Sequence, residues 1–88
     1  MSSALKRSEQ QTEQSFRHYS EQVLGELQRA TAAYGPFNSP HEGFGIIKEE
    51  LDEFWDEVKN NNGTLARKEI VQVAAMCYRY LQDSEHWR

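Results

Sequence analysis

The chain lacks most of the devices that hold small proteins together. It has one cysteine, Cys77, among 88 residues, which excludes an intrachain disulfide. A lone thiol without a secretory hydrophobic segment leads us to expect a reducing, cytoplasmic setting. No apolar run approaches the roughly 20 residues needed to span a bilayer, so no membrane partner is expected. No basic patch is interleaved with aromatics, which argues against nucleic acid as the main partner. No stretch carries a strand signal. What is left is a single short domain with a modest core. Association between copies, as a homodimer or homotetramer, is the expected supplement.

What the sequence does have is acid, concentrated in one place. Seven carboxylates (Glu42, Glu49, Glu50, Asp52, Glu53, Asp56, Glu57) stand against Lys48 alone between Glu42 and Glu57, a local balance of −6 in a chain whose net charge is −4. Like charges three or four apart on a helix repel by a few tenths of a kcal/mol per pair. Either these acids form a solvated face, or a cation sits among them.

The spacing of apolar residues predicts an all-α fold. Residues 1–10 are polar and without periodicity, so they read as a flexible start, with a single domain over residues 11–88. Phe16, Val23, Leu27, Ala30 and Tyr34 mark one face of a first helix that stops at Gly35-Pro36. Ser39 then suits an N-cap, with Pro40 at the first helical position and Glu42 completing a capping box. A second helix is expected over residues 40–60, burying Phe44, Ile47, Leu51, Trp55 and Val58. Asn60-Asn61-Asn62-Gly63 is its stop, with Gly63 suited to a left-handed cap. Thr64 suits the cap of a third helix, to about residue 85, burying Ile70, Val73, Ala74, Cys77 and Leu81. The short connection makes helices two and three an antiparallel hairpin.

That hairpin places the acids. Glu50 and Glu53 are three apart and share the flank of the buried stripe, whereas Asp52 and Asp56 point to solvent. Glu69 and Gln72 repeat the i,i+3 spacing on the third helix. With the turn centred near residues 61 and 62, Glu53 comes level with Glu69 and Glu50 with Gln72. Half-buried carboxylates that converge are costly unless neutralised. Hard divalent cations neutralise them, and Mg²⁺ takes a few carboxylates together with waters and substrate phosphates. A di-iron site would need Glu-x-x-His pairs, and neither pair ends in histidine.

These residues resemble the motif of the MazG-like, all-α nucleoside triphosphate pyrophosphohydrolases, which reads Glu-Glu-x-x-Glu, a variable gap, then Glu-x-x-Asp. Here "EELDE" supplies Glu49, Glu50 and Glu53, and "EIVQ" supplies Glu69, with Gln72 where the family usually has Asp. The flanking text, "GPFNSPHEGFGIIKEELDEFWDEV" and "RKEIVQVAAMCYRYLQD", is similar to the short phage and bacterial members. The resemblance covers residues 34–83, more than half the chain. It implies a metal-dependent hydrolase of phosphoric anhydrides that cleaves a (d)NTP to (d)NMP and pyrophosphate in nucleotide-pool housekeeping. It further implies Mg²⁺ (or Mn²⁺) on Glu50, Glu53 and Glu69, with Glu49 on a second metal or acting as general base. Gln72 is a member of the site that brings no charge. The resemblance also implies helices of several copies completing a four-helix bundle.

As substrate contacts, the resemblance and the spacing together suggest His41 and Asn38 before the acidic helix. They also suggest Lys48, Arg67, Lys68 and Arg79 for phosphates, and Tyr80 among the aromatics that could line a base pocket. Solvated charge and core packing are the ordinary roles of such residues. The alternative function, motivated by Gln72, is a non-catalytic helical oligomerisation or nucleotide-binding module with a degenerate site.

Overall fold

The computed structural model of the protein describes residues 3–87. They form three helices: α1 over Ser3–Ala33, α2 over Pro40–Lys59 and α3 over Gly63–Ser84. None is long and apolar enough to cross a membrane. The all-α expectation holds. Helix α1 begins earlier than its apolar stripe, running back through the polar segment expected to be an irregular start. Met1, Ser2 and Arg88 lie outside the described residues.

Capping explains the helix boundaries. Ser39 is extended and its hydroxyl accepts the Glu42 N–H at 3.1 Å, with Pro40 opening the helix. The reciprocal half of the expected capping box is displaced by one residue. The Glu42 carboxylate accepts from Asn38, at its backbone N–H (3.3 Å) and side-chain amide (3.2 Å). At the other end of α2, Asn62 N–H donates to Glu57 C=O and Asn61 N–H to Val58 C=O. This crossed pair is the Schellman arrangement, which needs one left-handed residue. Asn61 takes that role with φ 56°, not Gly63, which is the first residue of α3. The cap of α3 is likewise Asn62, whose side chain accepts from Leu65 N–H at 3.1 Å, not Thr64. Three consecutive asparagines thus divide the turn between them, since Asn both tolerates the left-handed region and caps helices.

Helix α3 is central. It packs against both α1 and α2, while among the described residues α1 and α2 do not pack on each other. The result is a flat arrangement, 47 × 35 × 21 Å, with a groove between α1 and α2 floored by α3. Phe37, Ala75 and Met76 form the core, with Val23, Leu27, Ala30, Ile46, Ile47, Tyr80 and Trp87 against them.

Phe37 comes from the connector, and the end of α3 holds it there. Its N–H donates to Asp83 Oδ2 at 2.9 Å and its C=O accepts from Trp87 Nε1 at 2.9 Å. The buried Arg79 guanidinium lies 4.6 Å over its ring and donates to the carbonyls of Tyr34 and Gly35. An ion pair at 3.8 Å joins Arg79 to Asp83.

The buried stripes differ from those expected. On α2 the residues turned inward are Gly43, Ile46, Ile47, Glu50, Phe54 and Glu57. Phe44 (66 % exposed), Leu51, Trp55 and Val58 face solvent, and only Ile47 of the expected stripe is partly covered. The reason is Gly43. It lets α2 close onto α3 at Tyr80, and that contact turns the larger apolar residues away. On α3, Val73 is buried as expected, but Ile70, Ala74, Cys77 and Leu81 are exposed, and Ala66, Ala75, Met76 and Arg79 take the interior. A central helix must serve two neighbours, so its burial is wider than one stripe and favours small residues. Phe16 and Tyr34, at the two ends of the α1 stripe, are exposed as well.

Candidate metal centre

The hairpin register comes out as the turn predicts. Ligand oxygens of Glu50 and Glu53 on α2 and Glu69 on α3 lie within 4.8 Å of one another. Glu50 and Glu69 are half-buried and Glu53 is exposed. Gln72 completes the square. With its amide nitrogen turned to the carboxylates, it donates to Glu50 Oε2 at 3.0 Å and to Glu69 Oε2 at 3.2 Å. Asp52 and Asp56 lie outside, exposed and paired with Lys48 (2.9 Å) and Lys59 (3.3 Å).

Burial and like charge act together on the inner acids. The Glu50 carboxyl is pushed up to about 7 from a usual value of 4.5, first by burial and then by the charges of Glu53 and Glu69. Glu69 is raised by burial and by Glu53, with Lys68 opposing the shift. At neutral pH the metal-free cluster therefore holds a proton part of the time, mainly on Glu50. A donor set made of the three carboxylates of Glu50, Glu53 and Glu69 suits a hard cation such as Mg²⁺ or Mn²⁺.

Beside the cluster lies a cleft of about 720 Å³. Glu26, Arg29 and Ala30 of α1 form one wall, Ile46, Glu49 and Glu50 of α2 the other, and Gln72 and Met76 of α3 the floor. Asn38 closes one end with Glu42. Of the expected site residues, the fold therefore gathers Glu49, Glu50, Gln72 and Asn38 at the cleft, with Glu53 and Glu69 adjoining Glu50.

The remaining expected contacts are placed otherwise. Lys48 is on the outer face of α2, and His41 is exposed outside the cleft lining. Arg79 reaches the cleft wall, but its guanidinium is spent on the Tyr34 and Gly35 carbonyls and on Asp83, so it braces the connector instead of standing ready for phosphate. Tyr80 is packed in the interior, edge-on to Trp87 at 4.9 Å. Arg29, which lines the cleft from α1, escapes the sequence reading, because nothing in the sequence fixes how α1 is registered against the hairpin. Compared with protein-family models, curated proteins and solved structures, the chain finds no match in any of the three.

Proposed function

We propose that the protein is a metal-dependent nucleotide pyrophosphohydrolase that converts a (d)NTP to the monophosphate and pyrophosphate. The observation that carries this reading is the convergence of Glu50, Glu53 and Glu69, with Glu50 pushed up to about 7, beside a cleft of nucleotide size. Ligand pockets range over roughly 300–1,000 Å³, and this one holds about 720 Å³. Glu50, Glu53 and Glu69 would hold Mg²⁺ or Mn²⁺, with Gln72 able to contribute its amide oxygen after rotating. A bound ion would neutralise the acids and stabilise charge on the leaving phosphates. Water oxygen attacks the α-phosphorus, the bond to the α,β-bridging oxygen breaks, and pyrophosphate leaves with the electron pair. Glu49, on the cleft wall, accepts the proton that the water gives up. The metal set and the Glu-Glu-x-x-Glu spacing support membership of the MazG-like superfamily.

The twelve large apolar side chains that stand exposed among the described residues support assembly of several copies through helix–helix contacts. The substrate is a nucleotide, and neither nucleic acid nor membrane is a partner in this reading; its setting is cytoplasmic.

The reading is tested by incubating the protein with canonical and modified (d)NTPs, with and without Mg²⁺ or Mn²⁺, and resolving the products. Monophosphate and pyrophosphate in equal amounts, formed only with metal, is the expected outcome. Diphosphate and inorganic phosphate as products would contradict it. One observation favours a second reading: Gln72, which brings no charge, donates its own N–H groups to Glu50 and Glu69, consistent with a degenerate, non-catalytic nucleotide-binding site. Metal binding without turnover across the panel would select that alternative.

A further inference from the structure

A second cavity, of about 490 Å³, opens between α1 and α3. Three cations line it, Arg29 from α1 with Arg67 and Lys68 from α3, against Glu21 and Glu26, so its rim is net positive. Among the described residues Lys68 has no carboxylate partner, and Arg67 has only the neutral Tyr19 hydroxyl, at 2.7 Å, with the ring of Tyr19 beneath it. Arg29 alone is paired, with Glu26. Gly25 lies in the wall in the middle of α1, a position where glycine is a poor helix former. Beyond its own helical turn and chain neighbours, nothing lies within 4 Å of where its Cβ would be, so the wall is open to a ligand at this point.

The two cavities adjoin, since Glu26 and Arg29 line both. Lys68 sits next to Glu69 and four residues before Gln72, about 6 Å along the helix axis. The main cleft offers a triphosphate little positive charge of its own. Glu26, Glu42, Glu49 and Glu50 line it, and of its two arginines Arg79 is occupied by the connector. The cations available for phosphates beyond the carboxylates are therefore those of the second cavity.

We infer that this second cavity binds a polyphosphate anion, and that Lys68, Arg67 and Arg29 receive the β- and γ-phosphates of a nucleotide whose α-phosphate lies at the carboxylates. The assignment to the nucleotide's tail rests on the pyrophosphohydrolase reading; the anion site itself does not. The test is calorimetric titration of the full chain, in Mg²⁺, with inorganic pyrophosphate and separately with a nucleoside monophosphate. Wild type is compared with Lys68→Ala, Arg67→Ala and Lys59→Ala, the last a control on the outer face of α2. Losing one charge-assisted hydrogen bond should weaken pyrophosphate about ten-fold or more in the first two variants, with monophosphate unchanged and the control unaffected. Pyrophosphate binding equally well to wild type and Lys68→Ala, or not binding to wild type at all, would overturn the inference. Neither result would touch the hydrolysis assay. A Lys68-dependent pyrophosphate site in a protein that hydrolyses no nucleotide would instead sink the enzymatic reading and leave a free-polyphosphate site standing.

Discussion

At the scale of single residues, Glu50 is where burial and electrostatics oppose each other most. Its carboxyl is raised to about 7 from a usual 4.5, so between those values the folded protein keeps a proton that the unfolded chain gives up. More protons bound to the folded state means that stability falls as pH rises through the window, and Glu69 is shifted in the same direction. Glu50→Gln removes the group that must ionise. The variant, free of metal, should therefore gain on wild type between pH about 5 and about 8, as read by denaturant melts at both values. A gap that stays constant across the range would contradict the assignment. Arg79 makes the opposite case. It is buried beneath the connector, against Phe37 and the partly buried Asp83, so Arg79→Ala should destabilise by about 3 kcal/mol, through loss of the connector and not through phosphate binding.

At the scale of elements, a glycine sets the fit of α2 on α3. A Cβ at Gly43 would stand 2.6 Å from Tyr80 Cδ2, closer than carbon atoms approach, and 3.2 Å from Phe37, tighter than most carbon contacts. Gly43→Ala gains helix propensity but overpacks, and a net loss of about 1–3 kcal/mol is expected in a thermal or urea melt. Unchanged stability would mean that the aromatic pair moves aside. The place of the turn after α2, though not which residues cap it, and the i,i+3 acid pairs were legible in the sequence because they are local. A short connection fixes hairpin register, and register brought Glu53 level with Glu69 and Glu50 level with Gln72. The inward face of α2 was not legible. Phe44, Leu51, Trp55 and Val58 form the stronger apolar stripe, and only the close approach at Gly43, a tertiary contact, turns them outward.

At the scale of the whole molecule, the same four residues leave an apolar face on α2, and Leu65, Ile70, Tyr78 and Leu81 stand exposed on α3. Large exposed apolar patches commonly mark association surfaces, and in the proposed assembly other copies would cover these side chains. Light scattering after size exclusion should give a multiple of 10.3 kDa, and Trp55→Lys should shift it toward one copy; a wild-type monomer at micromolar concentration would count against the assembly. The position of α1 is the other part hidden from sequence, since the connector at residues 34–39 is held by Arg79, Asp83 and Trp87, more than forty positions away. The cleft wall that α1 supplies, Arg29 included, follows from those long-range contacts.

In the proposed enzyme Glu50, Glu53 and Glu69 together hold a divalent cation. Calorimetric titration of the full chain with Mn²⁺ tests it most directly, run in two buffers of different ionisation enthalpy and repeated on Glu53→Gln. Saturable binding with proton release near pH 7, weakened ten-fold or more by Glu53→Gln, is the result expected. No saturable binding by wild type, or binding that Glu53→Gln leaves untouched, would contradict the site.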